Sequence, residues 1–124
     1  MDYNEVCSPV AKYSTIRLLC TLVVLFDLCL DQMDVVTAFL YGLLDELIFM
    51  RQPPGFAKRG QENLVCRLLK SLYGLKQSPR QWNKRFDDYM HALGFSRSVF
   101  DPCVYMKRVN NEVFGLIYYC TVCG

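Results

Sequence analysis

The sequence has a single histidine, no internal repeat and no long hydrophobic run. These absences argue against a zinc-binding protein, a repeat protein and a membrane-spanning protein. Among its 124 residues, His91 is the single histidine. A structural zinc site needs about four Cys or His ligands, so the C-x-x-C pair of Cys120 and Cys123 is not expected to bind zinc. The main apolar run, residues 18–26, is far shorter than the ~20 residues that span a bilayer. A core helix is the favoured interpretation of this run, and a membrane anchor or secretory leader is the less favoured alternative.

Net charge is also small, because 14 basic and 12 acidic residues leave a formal charge of +2. That value does not imply nucleic-acid binding by itself. The seven cysteines are an odd number at irregular spacing, and several lie within apolar runs. They predict a reducing, intracellular setting (cytoplasmic or nuclear) rather than a framework of disulfides.

Apolar and aromatic residues are abundant. Hydrophobic residues make up 52% of the chain and aromatic residues 14%. These fractions exclude a disordered protein and, at this length, predict a single domain with a core. The positive mean hydropathy of +0.13 also predicts apolar surface that packs against a partner or a further segment.

Hydrophobic periodicity and turn residues predict an α+β fold. Ser14 is the predicted N-cap of a helix over residues 15–26, which is apolar on most sides and is expected to be buried. The Ser78-Pro79 pair predicts the start of a second, amphipathic helix that ends at Gly94. Strands are predicted over residues 28–35, 47–51, 64–69, 104–109 and 113–120, the last two joined by a turn at Asn110-Asn111. This order predicts one antiparallel sheet backed by two helices, related to the split βαβ (ferredoxin-like) plan.

Asp34 is the residue around which the chain is organised. It ends an apolar, strand-like run and precedes a tight turn that contains Thr37, Ala38 and Phe39. Burying an unpaired carboxylate in a medium of low dielectric constant costs several kcal/mol, so a carboxylate in this setting is expected to have a partner. A metal ion is one such partner, and capping of the following turn is the other interpretation. The spacing does not decide between them.

Five sequence blocks, in order and in register, carry a resemblance to a known family. One is Gln32-Met33-Asp34-Val35 with Thr37-Ala38-Phe39-Leu40, and another is the run SLYGLKQSPRQW at residues 71–82. The other three are residues 8–19, 52–56 and 101–105. Together they closely resemble the reverse transcriptase domain of copia-type LTR retrotransposon Pol polyproteins, over nearly the whole chain. The resemblance implies a right-hand polymerase palm with part of the fingers, and an activity of RNA-directed DNA synthesis.

The resemblance also implies roles for particular residues. Asp34 matches the first catalytic aspartate, which binds both magnesium ions of a two-metal nucleotidyl transfer, with Mn²⁺ as an alternative metal. Phe39 matches the aromatic gate that stacks under the incoming sugar and leaves no room for a 2′-hydroxyl. The other matches to the nucleotide site are Val35, Tyr73 and Gly74. The residues that match the region beside the nucleic acid are Lys76, Ser78, Pro79, Arg80 and Lys84, with Arg85 close by. The implied partners are a primer–template of RNA or DNA, a deoxynucleoside triphosphate and the remainder of the Pol polyprotein, with no membrane.

One departure from the family pattern bears on activity. The last hairpin strand of the family runs into Tyr-x-Asp-Asp, which supplies the remaining metal-binding carboxylates. If Tyr119 is the motif tyrosine, Thr121 and Val122 occupy the two aspartate positions, and neither is an anionic ligand. Three other acidic sites are not expected to replace them: Asp87-Asp88 on the solvated face of a helix, Asp45-Glu46 in a loop, and Asp101 at the start of a strand.

The chain is therefore expected to be a partial reverse transcriptase domain over residues 1–124, with the upstream fingers, the thumb and the RNase H region outside it. We predict that it is inactive alone, because one aspartate cannot hold two metal ions. The alternative is a non-catalytic remnant that binds nucleic acid or partners an intact polymerase.

Overall fold

The structure, a computed structural model, describes residues 9–110 and 112–119, and these residues form helices and antiparallel strands. In chain order the elements are α1 (Tyr13–Leu25), a 3₁₀ helix (Ala38–Tyr41), β1 (Leu43–Arg51), β2 (Val65–Lys70), α2 (Ser78–Ala92), β3 (Ser96–Arg97), β4 (Val104–Val109) and β5 (Glu112–Tyr118). The predicted α+β class is confirmed.

The described strands form two separate antiparallel sheets rather than the single predicted sheet. β1 pairs with β2, with an irregular register between Leu43 and Ile48, and β4 lies between β3 and β5. β3 is too short to have been predicted from alternation. The β4–β5 hairpin is confirmed, and it turns at Asn110, whose φ of +50° is a conformation that asparagine tolerates. Asn111, the other predicted turn residue, lies outside the described residues.

The strand predicted over residues 28–35 is wrong. This stretch connects α1 to the 3₁₀ helix without regular structure, and it follows Asp27, which stands at φ +50°. No described strand runs beside it, and an extended segment without a hydrogen-bonded neighbour is not a strand, whatever its alternation of residues. Leu28, Leu30 and Met33 are accordingly exposed.

α1 is much less buried than its composition predicts. Lys12 occupies the N-cap position, and Ser14, the predicted cap, lies inside the helix. None of the residues of α1 is buried, and the side chains of Val24 and Leu25 are 81% and 70% exposed. Ile16, Leu19, Leu22 and Val23 are half-buried. Thr15 donates a hydrogen bond to the Asp101 carboxylate, and the Tyr118 hydroxyl donates to the carbonyl of Lys12 at the N-cap. Among the described residues, no helix is both long enough and apolar enough to cross a membrane.

α2 forms close to where the sequence predicts it. Gln77 is the N-cap, and Ser78 and Pro79 are the first two helical residues, so the predicted serine cap is displaced by one position. At the other end, the Gly94 N–H donates to the His91 carbonyl and the N–H of the next residue donates to the Met90 carbonyl. These two bonds form a Schellman motif, which confirms Gly94 as the residue that ends the helix.

The core lies where α2 meets the three-stranded sheet and the 3₁₀ helix. Trp82, Met90, Tyr105 and Tyr119 are buried there, and the Phe86 ring stacks on Tyr119 at a centroid distance of 4.5 Å. Aromatic pairs of this kind contribute about 0.5–1.5 kcal/mol beyond their buried area. The 3₁₀ helix packs against the same cluster, so the core fixes the position of the segment that follows Asp34.

Candidate functional site

Phe39 and Tyr73, the two aromatic residues predicted for the nucleotide site, contact each other in the structure. Phe39 lies in the 3₁₀ helix and Tyr73 in the turn between β2 and α2, and their ring centroids are 5.1 Å apart at a tilt of 59°. Phe39 is half-buried against the core, whereas the Tyr73 side chain is 60% exposed. The pair therefore has one member held by the core and one member facing solvent.

Gly42 allows the 3₁₀ helix to approach α2 closely. A Cβ atom at this position would lie 2.9 Å from the Cβ of Gln81 and 3.2 Å from the backbone of Gln81 and Trp82. The Gly42 carbonyl also accepts a hydrogen bond from the Ser71 N–H at 2.8 Å. No local pattern in the sequence indicates this role, because the contacts of Gly42 come from a helix almost forty positions further along the chain.

Two buried serines support the turn that carries Tyr73. Ser71 Oγ donates to Ser78 Oγ at 2.5 Å, and Ser78 Oγ donates to the Leu72 carbonyl at 2.5 Å. Ser71 and Ser78 are almost completely buried, so the Ser78 hydroxyl, assigned by resemblance to the nucleic-acid side, points into the protein. Ser71 was not singled out in the sequence, since a lone serine before a turn carries no distinguishing signal.

Gly74 forms the tip of this turn. It has a φ of +90°, which glycine adopts without strain, and a Cβ added there would meet nothing within 4 Å. The turn is closed by hydrogen bonds from the Leu75 N–H to the Leu72 carbonyl and from the Ser78 N–H to the Leu75 carbonyl. The space beside the Gly74 backbone is therefore open. The resemblance implies that the nucleotide approaches the backbone at this residue.

Asp34 lies in the irregular segment before the 3₁₀ helix and is exposed. Within the described part of the chain its carboxylate makes no hydrogen bond and no ion pair. The interpretation that it caps the following turn is therefore wrong. Thr37 occupies the N-cap position at φ +56°, and its hydroxyl donates to the Val36 carbonyl instead. Val35, the neighbouring predicted site residue, is 44% exposed.

Basic side chains line the exposed edge of α2 and the turn before it. Lys76, Arg80, Lys84 and Arg85 are all exposed, and Pro79 is half-buried. Lys84 Nζ lies 3.6 Å from Asp45 Oδ2 in an exposed ion pair. A hydrogen bond from Gln81, followed by the charge of Lys84, holds the pKa of Asp45 below its ordinary value. The pair is screened by solvent, so Lys84 stays accessible to another anion.

The acidic pairs Asp45-Glu46 and Asp87-Asp88 were not expected to replace the motif aspartates, and the structure places each pair partly differently from its prediction. Asp45 and Glu46 lie in β1, not in a loop as predicted. Asp87 was predicted on a solvated face, which is wrong, because it accepts a hydrogen bond from Tyr105 Oη at 2.9 Å and lies 2.7 Å from an Arg97 nitrogen. Asp88 is exposed as predicted.

The Asp87 cluster was not visible in the sequence. Arg97 Nε and Nη2 donate to Tyr105 Oη at 3.2 and 3.0 Å, and burial raises the pKa of Tyr105 to about 12. Tyr105 therefore stays protonated and can donate to Asp87 across the neutral range. Its only sequence signal was the position of Asp87 next to Phe86, at the border of the apolar stripe of α2. These groups join α2 to β3 and β4 and lie outside the predicted site.

Comparison with known proteins identifies the family of this chain. The sequence model of the family described as reverse transcriptase (RNA-dependent DNA polymerase) matches residues 1–120. This chain belongs to the reverse transcriptase family.

Several curated relatives are retrotransposon proteins. The chain is 48% identical over 120 residues to the retrovirus-related Pol polyprotein from transposon TNT 1-94 of Nicotiana tabacum, covering 95% of this chain and 9% of the relative. It is 40% identical over 119 residues to the corresponding polyprotein from transposon RE1 of Arabidopsis thaliana, covering 95% and 8%. It is 37% identical over 87 residues to the putative transposon Ty5-1 protein of Saccharomyces cerevisiae, covering 70% and 28%.

The chain thus spans less than a tenth of the length of these Pol polyproteins from tobacco and Arabidopsis thaliana. No solved structure matches the chain significantly. The resemblance to copia-type Pol polyproteins is confirmed, whereas the assignment of elements to palm and fingers is not tested by these matches.

Reverse transcriptases generally use a divalent metal ion, and such an ion needs several oxygen ligands close together. No group of three or more His, Cys, Asp or Glu side chains comes together anywhere in residues 9–110 and 112–119. Asp34 belongs to no such group, and Asp45, Asp87 and Asp101 are hydrogen-bonded to side chains of the fold. The described donors therefore do not fit a metal pair. Thr121 and Val122 lie outside the described residues.

Proposed function

We propose that this chain forms the nucleotide-facing part of a copia-type reverse transcriptase domain and does not extend a primer by itself. The observation that carries the first half is the contact between Phe39 and Tyr73, which brings two separate family motifs together beside an open glycine turn. The palm-and-fingers arrangement of the family is part of this proposal.

The chemistry of the proposed site is recognition of a deoxynucleotide. Phe39 is held by the core and presents its ring to the sugar, where an added 2′-hydroxyl has no room. Tyr73 packs on Phe39, and the backbone at Gly74 approaches the nucleotide closely because no side chain stands there. Ser71 and Ser78 hold this turn in position through buried hydrogen bonds.

The second half of the proposal, that the chain does not polymerise alone, follows from its donors. Nucleotidyl transfer in this family uses two metal ions about 4 Å apart, which several carboxylates must neutralise and position. Here Asp34 is the single carboxylate in a matching position, and, with Tyr119 aligned to the motif tyrosine, Thr121 and Val122 take the two aspartate positions.

Nucleotide discrimination tests the first half directly. Saturation-transfer NMR on the full chain compares the binding of dTTP with that of 5-methyluridine triphosphate, the matching ribonucleotide, which differs from dTTP only by its 2′-hydroxyl. We expect the deoxynucleotide to be preferred, and Phe39→Ala to remove that preference because the ring no longer blocks the 2′ position. Tyr41→Ala is the matched control, since Tyr41 lies in the same 3₁₀ helix but packs towards Trp82 at a centroid distance of 6.3 Å. Equal binding of both nucleotides by the unaltered chain, or the same effect from Tyr41→Ala, would contradict the proposal.

The second candidate function is a non-catalytic module that holds primer–template or partners an intact polymerase. The exposed basic edge of Lys76, Arg80, Lys84 and Arg85 favours the nucleic-acid version. A salt-dependent affinity for primer–template that disappears in the double variant Arg80→Glu and Lys84→Glu would support it. Absence of binding at low salt would exclude it.

The setting that we propose is intracellular and reducing. Cys20, Cys29 and Cys66 are exposed free thiols among the described residues, and exposed thiols do not persist in oxidising compartments. The remainder of a Pol polyprotein is the proposed partner, because the relatives in which this segment occurs are polyproteins.

A further inference from the structure

The end of the β1–β2 hairpin carries more positive charge than the whole protein. Residues 51–67 contain four cations and one acidic residue, Glu62, which gives this segment a net charge of +3. The complete chain has a net charge of +2, so the rest of the chain is slightly negative. The charge that the overall composition conceals is thus concentrated at one end of one hairpin. The four cations are Arg51, Lys58, Arg59 and Arg67.

The strand register places two of these cations on one face with an aromatic ring. Phe49 pairs with Arg67, and Arg51 pairs with Val65 two residues along. Paired and alternate residues of antiparallel strands point to the same side, so Phe49, Arg51 and Arg67 share a face and the two arginines are diagonal neighbours. All three are exposed, and the Phe49 side chain is 58% exposed.

Nothing in the described protein neutralises this face. Neither arginine forms an ion pair with another described residue, although like charges at such a spacing repel each other. Glu62, the one acidic residue of the segment, accepts a hydrogen bond from the Gly60 N–H at 2.9 Å, and this bond lowers the pKa of Glu62. The Glu62 carboxylate therefore interacts within its own loop, and Arg51 and Arg67 are available to bind an external anion.

Gln52 holds the loop of the hairpin in one shape. Its Nε2 donates to the carbonyls of Gln61 and Leu64 at 2.7 and 2.9 Å, and its Oε1 accepts from the Lys58 N–H at 2.9 Å. The loop carries a second aromatic ring, Phe56, whose side chain is 82% exposed. A loop fixed in this way presents its cations and its ring to a ligand with little further loss of conformational entropy.

We propose that the end of this hairpin binds single-stranded nucleic acid. Single strands are bound by cations that follow the phosphates together with aromatic rings on which bases stack, and this surface offers both. The exposed Val65 and Leu69 on the same face would contact the apolar faces of the sugar and bases. None of these residues belongs to the basic edge of α2, and the inference rests on the proposed function only for the class of ligand.

Charge-neutralising variants test the proposal on the full chain. Fluorescence anisotropy with labelled dT₁₂ and rU₁₂ across a KCl series gives the affinity and its salt dependence. We expect the double variant Arg51→Gln and Arg67→Gln to reduce the slope of log K against log[KCl] by about 1.4, since each phosphate contact on a single strand contributes about 0.7. The matched control is Arg17→Gln with Arg108→Gln, which removes the same charge from two exposed positions elsewhere and should leave the slope unchanged.

Aromatic variants and a competitor complete the test. Phe49→Leu should weaken binding at least fivefold, roughly the loss of one stacked base, whereas Phe100→Leu, an 89% exposed ring elsewhere, should not. Equal effects of the hairpin and control charge pairs would overturn the proposal. So would competition by poly-glutamate as strong as by unlabelled oligonucleotide, which would indicate an acidic protein partner. Because these readouts do not involve Phe39, loss of nucleotide discrimination and loss of single-strand binding are distinguished.

Discussion

The two helices of this protein reverse the usual relation between composition and burial. α1 is rich in leucine and valine, yet none of its residues is buried. α2 is rich in charged and polar residues, yet it buries Ser78, Gln81, Trp82, Asn83 and Met90. The difference shows that burial depends on what packs against a helix as well as on what the helix contains.

Each helix has a different partner in the fold. α2 has an aromatic cluster from the hairpin on one side and the 3₁₀ helix on another, so even its glutamine and serine side chains find hydrogen-bond partners. α1 is joined to the fold through Thr15 and Asp101, while Leu18, Val24 and Leu25 are exposed and Leu19, Leu22 and Val23 are half-buried. Exposed apolar surface of this kind marks a site that another segment or partner covers.

Truncation of a core aromatic in α2 should have the largest effect. We expect Trp82→Ala to lower the free energy of unfolding by about 3–5 kcal/mol, because Trp82 is 9% exposed and packs beside Phe86. Leu25→Ala in α1 should change it by less than about 0.5 kcal/mol, because that side chain is 70% exposed. Urea denaturation followed by circular dichroism measures both. Similar losses from the two variants would show that α1 is as well packed as α2.

Two adjacent aspartates of α2 give a finer comparison. Asp87→Asn should cost about 2 kcal/mol, because Asp87 accepts a hydrogen bond from buried Tyr105 and pairs with Arg97. Asp88→Asn should be close to neutral, since Asp88 is exposed. The same denaturation measurement applies to both variants, and an equal cost at both positions would refute the role of the Asp87 cluster.

The link between α1 and the hairpin should have the smallest effect and a signature in pH. Burial alone would raise the pKa of Asp101, but hydrogen bonds from Thr15 and from the Cys103 N–H, with the charge of Lys12, hold it below its ordinary value. A carboxyl whose pKa is lowered by folding stabilises the protein above its unfolded pKa, and this stability is lost as the pH falls through the folded pKa. Thr15→Val should therefore cost about 1 kcal/mol near pH 7.

The pH series provides the control for that variant. As the pH falls below the ordinary range for an aspartate and through the lowered pKa of folded Asp101, the carboxyl becomes protonated in both proteins, so the stabilities of the unaltered chain and Thr15→Val should converge. A difference that stays constant as the pH falls from 7 into the range where Asp101 is protonated would mean that Thr15 acts through packing and not through Asp101.

Local signals predicted several elements correctly. The Ser78-Pro79 start and the Gly94 end located α2, and Asn110 located the β4–β5 turn. The sequence blocks predicted the family, which the matches to Pol polyproteins confirm. These features depend on residues close together in the chain, where propensity and motif spacing carry the information.

Features that depend on distant contacts were missed or misjudged. Alternation in residues 28–35 predicted a strand, but no neighbouring strand pairs with it. The buried Ser78 hydroxyl is hydrogen-bonded to Ser71 and to the Leu72 carbonyl. Asp87 is held by an ion pair with Arg97 and a hydrogen bond from Tyr105. No local pattern encodes such partners. For the same reason the roles of Asp34, Val35 and Lys76 stay predictions from the resemblance.

Primer extension on an RNA template tests the central claim most directly. The full chain is assayed with Mg²⁺ and with Mn²⁺ beside two variants of the same exposed segment, Asp34→Asn and its matched control Asp31→Asn. We expect no template-dependent extension by any of the three proteins. Extension by the unaltered chain that survives Asp31→Asn and disappears in Asp34→Asn would contradict it, because other carboxylates would then complete a metal site with Asp34.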